Sequence, residues 1–146
     1  MVHLLDVNVL LALAWPNHLH HQPAHAWFAA NHKNGWATCP ITQAGFVRLS
    51  CQPLVTKLLV PVCEAIQNLE MSTRSPHHQF WQQDTPIASL MPEMLSRIMG
   101  QRQVTDAVLV DLAIRRQGAL ATFDRRMSSL FPPGSPNASR LTFIPS

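Results

Sequence analysis

Two apolar runs, Met1–Leu5 and Val7–Leu13, are parted by a single carboxylate, Asp6, and only Asn8 breaks the second. A short buried strand that stops at an acid and passes directly into a helix is the building unit of α/β folds. Their ligands bind in the crevice at such strand ends. Acids are scarce, five Asp and three Glu, yet Asp106 and Asp124 fall at comparable junctions far along the chain. Three scarce carboxylates able to converge on one crevice predict a hard-cation site.

The rest of the chain repeats the strand–helix alternation. Strands are expected over Val2–Leu5, Trp36–Cys39, His78–Trp81, Ala119–Phe123 and, as a terminal edge, Leu141–Ile144. Helices are expected over Asn8–Ala14 and from about Gln22 to His32. A third should follow Thr42 as N-cap, with Ala44, Phe46, Val47 and Leu49 inward. Pro61 should open a helix with Val62, Ala65, Ile66 and Leu69 on one face. Leu90–Ile98 is weakly helical, and Arg125–Leu130 is a short helix. The clearest helix is Thr105–Gln117, stopped by Arg115 and Arg116 in its last turn and then Gly118. Ser72–His78 and Pro132–Ser139 read as loops. Strands alternating with helices define an α/β class with a mainly parallel sheet.

Length and composition set limits. A chain of 146 residues suits one domain, and 47% hydrophobic residues suffice for a core. The net charge is +3, from nine Arg and two Lys against eight acids. Arg suits phosphate, because its planar fork donates two parallel hydrogen bonds. Cys39, Cys51 and Cys63 show no C-x-x-C pairing and are expected as reduced, buried thiols in a cytoplasmic protein. The opening stretch lacks the cationic start of a signal peptide. No apolar run approaches the about 18 residues of a membrane span.

Each of the three Asp could simply cap a helix or favour its dipole. Their joint placement favours a site, where magnesium or manganese would take carboxylate oxygens. Asp111 lies five residues past Asp106, about 140° round the helix, and is expected on a polar face or interface. Glu64, Glu70, Asp84 and Glu93 read as solvated. Trp15, Trp27, Trp36 and Trp81 read as core or interface.

With these residues in view, Met1–Ala14, carrying L-L-D-V-N-V-L-L-A-L, resembles the opening of PIN domains, and more narrowly the VapC-type toxin ribonucleases of bacterial toxin–antitoxin pairs. Ala37–Leu49 (A-T-C-P-I-T-Q-A-G-F-V-R-L), His78–Asp84 (H-Q-F-W-Q-Q-D), Val104–Ala113 (V-T-D-A-V-L-V-D-L-A) and Leu120–Asp124 (L-A-T-F-D) are similar to that group in order and spacing. The resemblance implies a single PIN domain over 1–146, a three-layer α/β/α fold around a mainly parallel sheet. It implies a Mg2+- or Mn2+-dependent endoribonuclease toxin, cutting RNA (transfer RNA by analogy) through in-line attack by a metal-activated water and leaving a 5′-phosphate. The implied partners are a cognate antitoxin and a second copy of the chain. By position, Asp6, Asp106 and Asp124 match the acidic metal site, and Asn8, Thr105 and Thr122 match neighbours that shape it.

One departure stands out. Many PIN domains carry Glu where this chain has Gln43, and an amide adds no charge to hold a cation. Gln43 is therefore expected to serve the site through a metal-bound water, with weaker metal binding. Arg125 and Arg126, directly after Asp124, are candidates for RNA phosphate contact. His18, His20, His21 and His25 are expected at the crevice mouth; His21 and His25 have the i, i+4 spacing of zinc ligands but lack companions. Two other functions compete. An aspartyl-phosphate phosphatase needs an acid two residues after its nucleophile, where this chain has Asn8. A catalytically weakened PIN-like module binding RNA or a partner is the alternative that Gln43 leaves open.

Overall fold

The strands are three or four residues long, and alternation along each one sends neighbouring side chains to opposite faces of a sheet. The computed structural model describes residues 1–146. β1 (His3–Leu5), β2 (Trp36–Thr38), β3 (His78–Phe80), β4 (Ala119–Thr122) and β5 (Leu141–Phe143) form one sheet in the order β3-β2-β1-β4-β5. Every neighbouring pair is parallel, with Leu4 level with Ala37 on one side and Leu120 on the other. The expected mainly parallel sheet is wholly parallel.

Seven helices surround it: α1 (Val7–Ala14), α2 (His21–Asn31), α3 (Pro40–Ser50), α4 (Pro53–Thr56), α5 (Val62–Thr73), α6 (Pro92–Leu95) and α7 (Arg102–Arg115). Leu4, Ala37 and Leu120 point into one core with Met94, Val108, Leu109 and Leu112 from α6 and α7. Leu5 and Ala121, one residue further on, point into a second core with Val9 and Leu10 of α1, Phe46 of α3 and Leu69 of α5. The sheet is thus sandwiched, giving the α/β/α layering. In α7, seven consecutive residues from Ala107 to Ala113 are buried, as in a helix enclosed on all sides. No helix is long and apolar enough to cross a membrane.

Several boundaries differ from expectation for local reasons. Helix α3 begins two residues before Thr42: Cys39 is its N-cap, and Thr42, fully buried at N3, turns its hydroxyl back to accept from the Cys39 N–H at 2.9 Å. Ala44 therefore faces solvent and Phe46 the core. Pro61 is the N-cap of α5 rather than its first residue, and only Ala65 and Leu69 turn inward; Val62 and Ile66 are 56% and 48% exposed. The weakly helical Leu90–Ile98 reduces to the four residues of α6. Of the cysteines, Cys39 is buried, Cys51 partly so and Cys63 exposed, so the expectation of three buried thiols holds for one.

The stop after α7 is also built differently. Gln117, not Gly118, takes the left-handed conformation, at φ 59°, and the Gly118 N–H reaches back to Ala113 O at 2.8 Å. Gly118 serves close approach: a Cβ there would lie 2.5 Å from the Val2 carbonyl and 2.8 Å from the Trp81 ring.

Asp111, expected on a polar face, is buried at 1% exposure. It accepts from the Met91 N–H at 3.0 Å and from Arg115 Nε at 2.6 Å, while Arg115 also donates to Ser89 O. This side chain ties α7 to the segment leading into α6. Glu93 is likewise engaged, accepting from Ser135 Oγ and Asn137 Nδ2 and so holding the loop before β5.

Candidate active site

A wholly parallel sheet delivers all its strand C-termini to one rim, which is how residues far apart in sequence meet. At that rim β1 runs into Asp6, β4 runs through Thr122 into Asp124, and β2 ends at Thr38 just before α3.

Asp6, 7% exposed, is the N-cap of α1, with one oxygen accepting from the Val7 N–H at 2.7 Å. Its other oxygen accepts from the Thr122 hydroxyl at 2.7 Å. The same Thr122 oxygen accepts from Asn8 Nδ2 at 3.3 Å and from the Asp124 N–H at 3.0 Å. Asn8 Oδ1 in turn accepts from the Phe123 N–H at 3.4 Å. Thr122, fully buried, is therefore the hub that fixes Asp6, Asn8 and Asp124 in one frame.

Asp124 caps the following 3-10 turn by accepting from the Arg126 N–H. The Arg126 guanidinium also grips both Asp124 oxygens at 2.9 Å. Asp106 does not open its helix: α7 starts at Arg102, so Asp106 stands in the second turn and caps nothing. It shares a cavity of about 190 Å³ with Asp124, Arg126, Arg102, Gln103 and Ser129.

The electrostatics tie the three acids together. Burial, and then the charges of Asp6 and Asp124, push the Asp106 carboxyl up to about 6. Burial raises Asp6 too, opposed by its bonds from Thr122 and Val7, with Asp124 adding a further rise. Asp124 is held below the usual carboxylate range, chiefly by its hydrogen bond from Arg126. Two carboxyls raised by burial and by neighbouring negative charge mark a place where a cation would be stabilising.

As the side chains stand, no three His, Cys, Asp or Glu residues are disposed to hold one ion. The donor set itself, the hard carboxylate oxygens of Asp6, Asp106 and Asp124, is of the chemical kind that magnesium and manganese take.

Other expected site residues lie nearby or apart. Gln43, in the first turn of α3, donates from Nε2 to Thr38 Oγ1 at 3.0 Å, and Thr38 Oγ1 lies 2.8 Å from His78 Nε2. No hydrogen bond joins Gln43 to an acid. Thr105 is exposed on α7 and makes no side-chain hydrogen bond, unlike Thr122. Arg125 is exposed, with its guanidinium 5.6 Å over the Phe143 ring. His21 and His25, at zinc-ligand spacing, instead bond through ring nitrogens to the Ala12 and Leu13 carbonyls, at 2.7 and 2.8 Å, at the end of α1. Thr38, His78, Arg102, Gln103 and Ser129 escaped the sequence reading. Only the early start of α7, just after Gly100, offered a signal for any of them.

Comparison with known proteins identifies the family of the chain. The PIN domain family matches residues 3–130. Ribonuclease VapC38 of Mycobacterium tuberculosis (strain ATCC 25618 / H37Rv) is 45% identical over 127 residues, 87% of this chain and 88% of its own. Ribonuclease VapC39 of the same strain is 43% identical over 128 residues, covering 88% and 92%. Ribonuclease VapC44 is 40% identical over 132 residues, covering 90% and 92%. Among solved structures, VapBC2 from Rickettsia felis, bound to a DNA fragment from its promoter, superposes with a TM-score of 0.64 at 15% identity, over 98% of this chain and 97% of that one. The chain belongs to the PIN domain family, within which its relatives are VapC ribonucleases.

Proposed function

We propose that this chain, read as one PIN domain over 1–146, is a metal-dependent endoribonuclease toxin that a cognate antitoxin neutralises. The observation that carries this is the half-buried Asp106 carboxyl at the rim, lifted to about 6 by burial first and then by the charges of Asp6 and Asp124. VapC ribonucleases among its relatives support the same reading.

Asp6, Asp106 and Asp124 would hold Mg2+ or Mn2+, with Asn8 and Thr122 fixing the orientation of the carboxylates. When bound, the ion supplies a nucleophile at neutral pH and charge stabilisation for the phosphodiester. Thr105 would act only by its position beside Asp106. Gln43, clamped through Nε2 by Thr38, keeps its carbonyl oxygen free to accept a proton of an ordered water, but gives the site no fourth negative charge. Arg125 and Arg126 would meet RNA phosphate; Arg126 would do so by exchanging Asp124 for the substrate, which frees that carboxylate for the ion. A second copy of the chain would cover the exposed apolar residues Leu54, Leu59, Val62 and Ile66.

The Arg126–Asp124 ion pair also supports a second reading, a PIN-like module of weakened catalysis that binds RNA or a partner. An RNA cleavage assay in magnesium, comparing wild type with Asp6→Ala, separates the two. Cleavage lost in the variant supports the enzyme; a wild type that cuts no RNA supports the module.

A further inference from the structure

Beside the acids stands a pair of rings that the phosphodiester chemistry leaves unused. The turn joining α1 to α2 carries His18, Leu19 and His20. The His20 ring lies 4.5 Å from the Phe123 ring, with the planes 15° apart. Phe123 sits between Thr122 and Asp124, and its N–H is bonded to Asn8, so the frame that holds the acids also fixes the stack. His20 is held from the other side, its N–H donating to His18 Nδ1 at 3.0 Å. Both rings stay partly exposed, and Leu19 at the tip of the turn is 87% exposed. No Asp or Glu occurs between Asp6 and Glu64, so the turn and α2 present no carboxylate that would repel a polyanion.

We propose that His20 and Phe123 form a stacking platform for a nucleobase of single-stranded RNA next to the scissile phosphate, and so help determine which substrate is seated. The proposal rests on the ribonuclease reading above. Sequence-specific RNA recognition works largely through unstacked bases laid on aromatic side chains. Every base has a π-face, and an aromatic partner contributes substantially to single-strand affinity. A ring stacked on Phe123, whose backbone is tied to Asn8 and runs directly into Asp124, gives a base a fixed seat relative to the phosphate that the acids would act on.

The test compares His20→Leu, which keeps an apolar cap over Phe123 without a π-face, with His20→Phe, which keeps the face. Binding of a labelled, random-sequence single-stranded oligoribonucleotide is followed by fluorescence anisotropy in EDTA. Cleavage of the same pool is followed separately in magnesium. The platform predicts roughly tenfold weaker binding for His20→Leu, near-wild-type binding for His20→Phe, and in the cleavage assay a raised KM with kcat little changed. Equal binding by wild type and His20→Leu overturns it. So does equal weakening by both variants, or a His20→Leu defect confined to neutralisation by antitoxin. A wild type that binds RNA with this discrimination yet cuts none sinks the ribonuclease reading and leaves the platform standing; a wild type that binds no RNA sinks both.

Discussion

Half-buried, and then facing the charges of Asp6 and Asp124, the Asp106 carboxyl keeps its proton to about pH 6. Because the fold raises this value above its ordinary 3.8, the stability it contributes is fully present below about pH 4 and is lost as pH rises through about 6. Asp6 is shifted the same way and Asp124 the opposite way. The metal-free protein should therefore lose melting temperature between pH 4 and 7, and Asp106→Asn should flatten that slope. Magnesium competes for the site of that proton, so its stabilising effect should grow over the same window. Identical slopes in both proteins, read by differential scanning fluorimetry, would contradict the coupling.

Arg126 makes a two-sided prediction. Arg126→Ala should tighten manganese binding by freeing both Asp124 oxygens and should weaken RNA binding by removing a phosphate donor. Gln43→Glu should tighten magnesium binding in calorimetry; unchanged or weaker affinity removes the idea that the missing charge limits the site. At this scale the sequence reveals much. Asp6 and Asp124 are legible because strand ends can be read from apolar runs, whereas Thr122 comes into view only through the family resemblance. The Arg126 clamp and the Gln43–Thr38–His78 chain are not, because they depend on which rotamers meet across elements far apart in the chain.

Among the elements, α7 shows what patterning can and cannot give. Its buried stretch from Ala107 is plain, whereas Arg102 to Val104 carry no start signal, so the helix is expected only from Thr105 and Asp106 reads as its opening. Val62 and Ile66 have the spacing of an inward face yet point outward, since spacing alone does not say which side of a helix meets the sheet. Gly118 reads as a helix stop, but its necessity comes from the Val2 carbonyl just before β1. Gly118→Ala should cost about 1–3 kcal/mol through overpacking. Asp111→Ala should cost about 2–3 kcal/mol, because it strips a charged acceptor from a buried N–H and from Arg115. Both changes lie away from the rim and should lower the melting temperature while leaving cleavage per folded molecule near wild type. Loss of cleavage by well-folded Asp111→Ala would instead give that residue a part in the site.

Over the whole molecule, parallel topology is what turns a sequence pattern into a site. Five short strands running one way bring residues 6, 122 and 124 to a common rim, and α7, packed on one face, brings Asp106 there. The exposed apolar residues of α4, α5 and the segment between them predict a dimer that Leu59→Glu with Val62→Glu would convert to monomer in light scattering; an unchanged mass would move the interface elsewhere. Expression of the chain alone should arrest growth, with relief by the antitoxin. All of this depends on the acids acting on one ion. Manganese titration followed by electron paramagnetic resonance, on wild type and on Asp6→Asn, Asp106→Asn and Asp124→Asn separately, tests that directly. A shared site predicts that each single change weakens binding of the same tightest ion and that each abolishes RNA cleavage. Wild-type manganese affinity in any one of the three folded variants would contradict it.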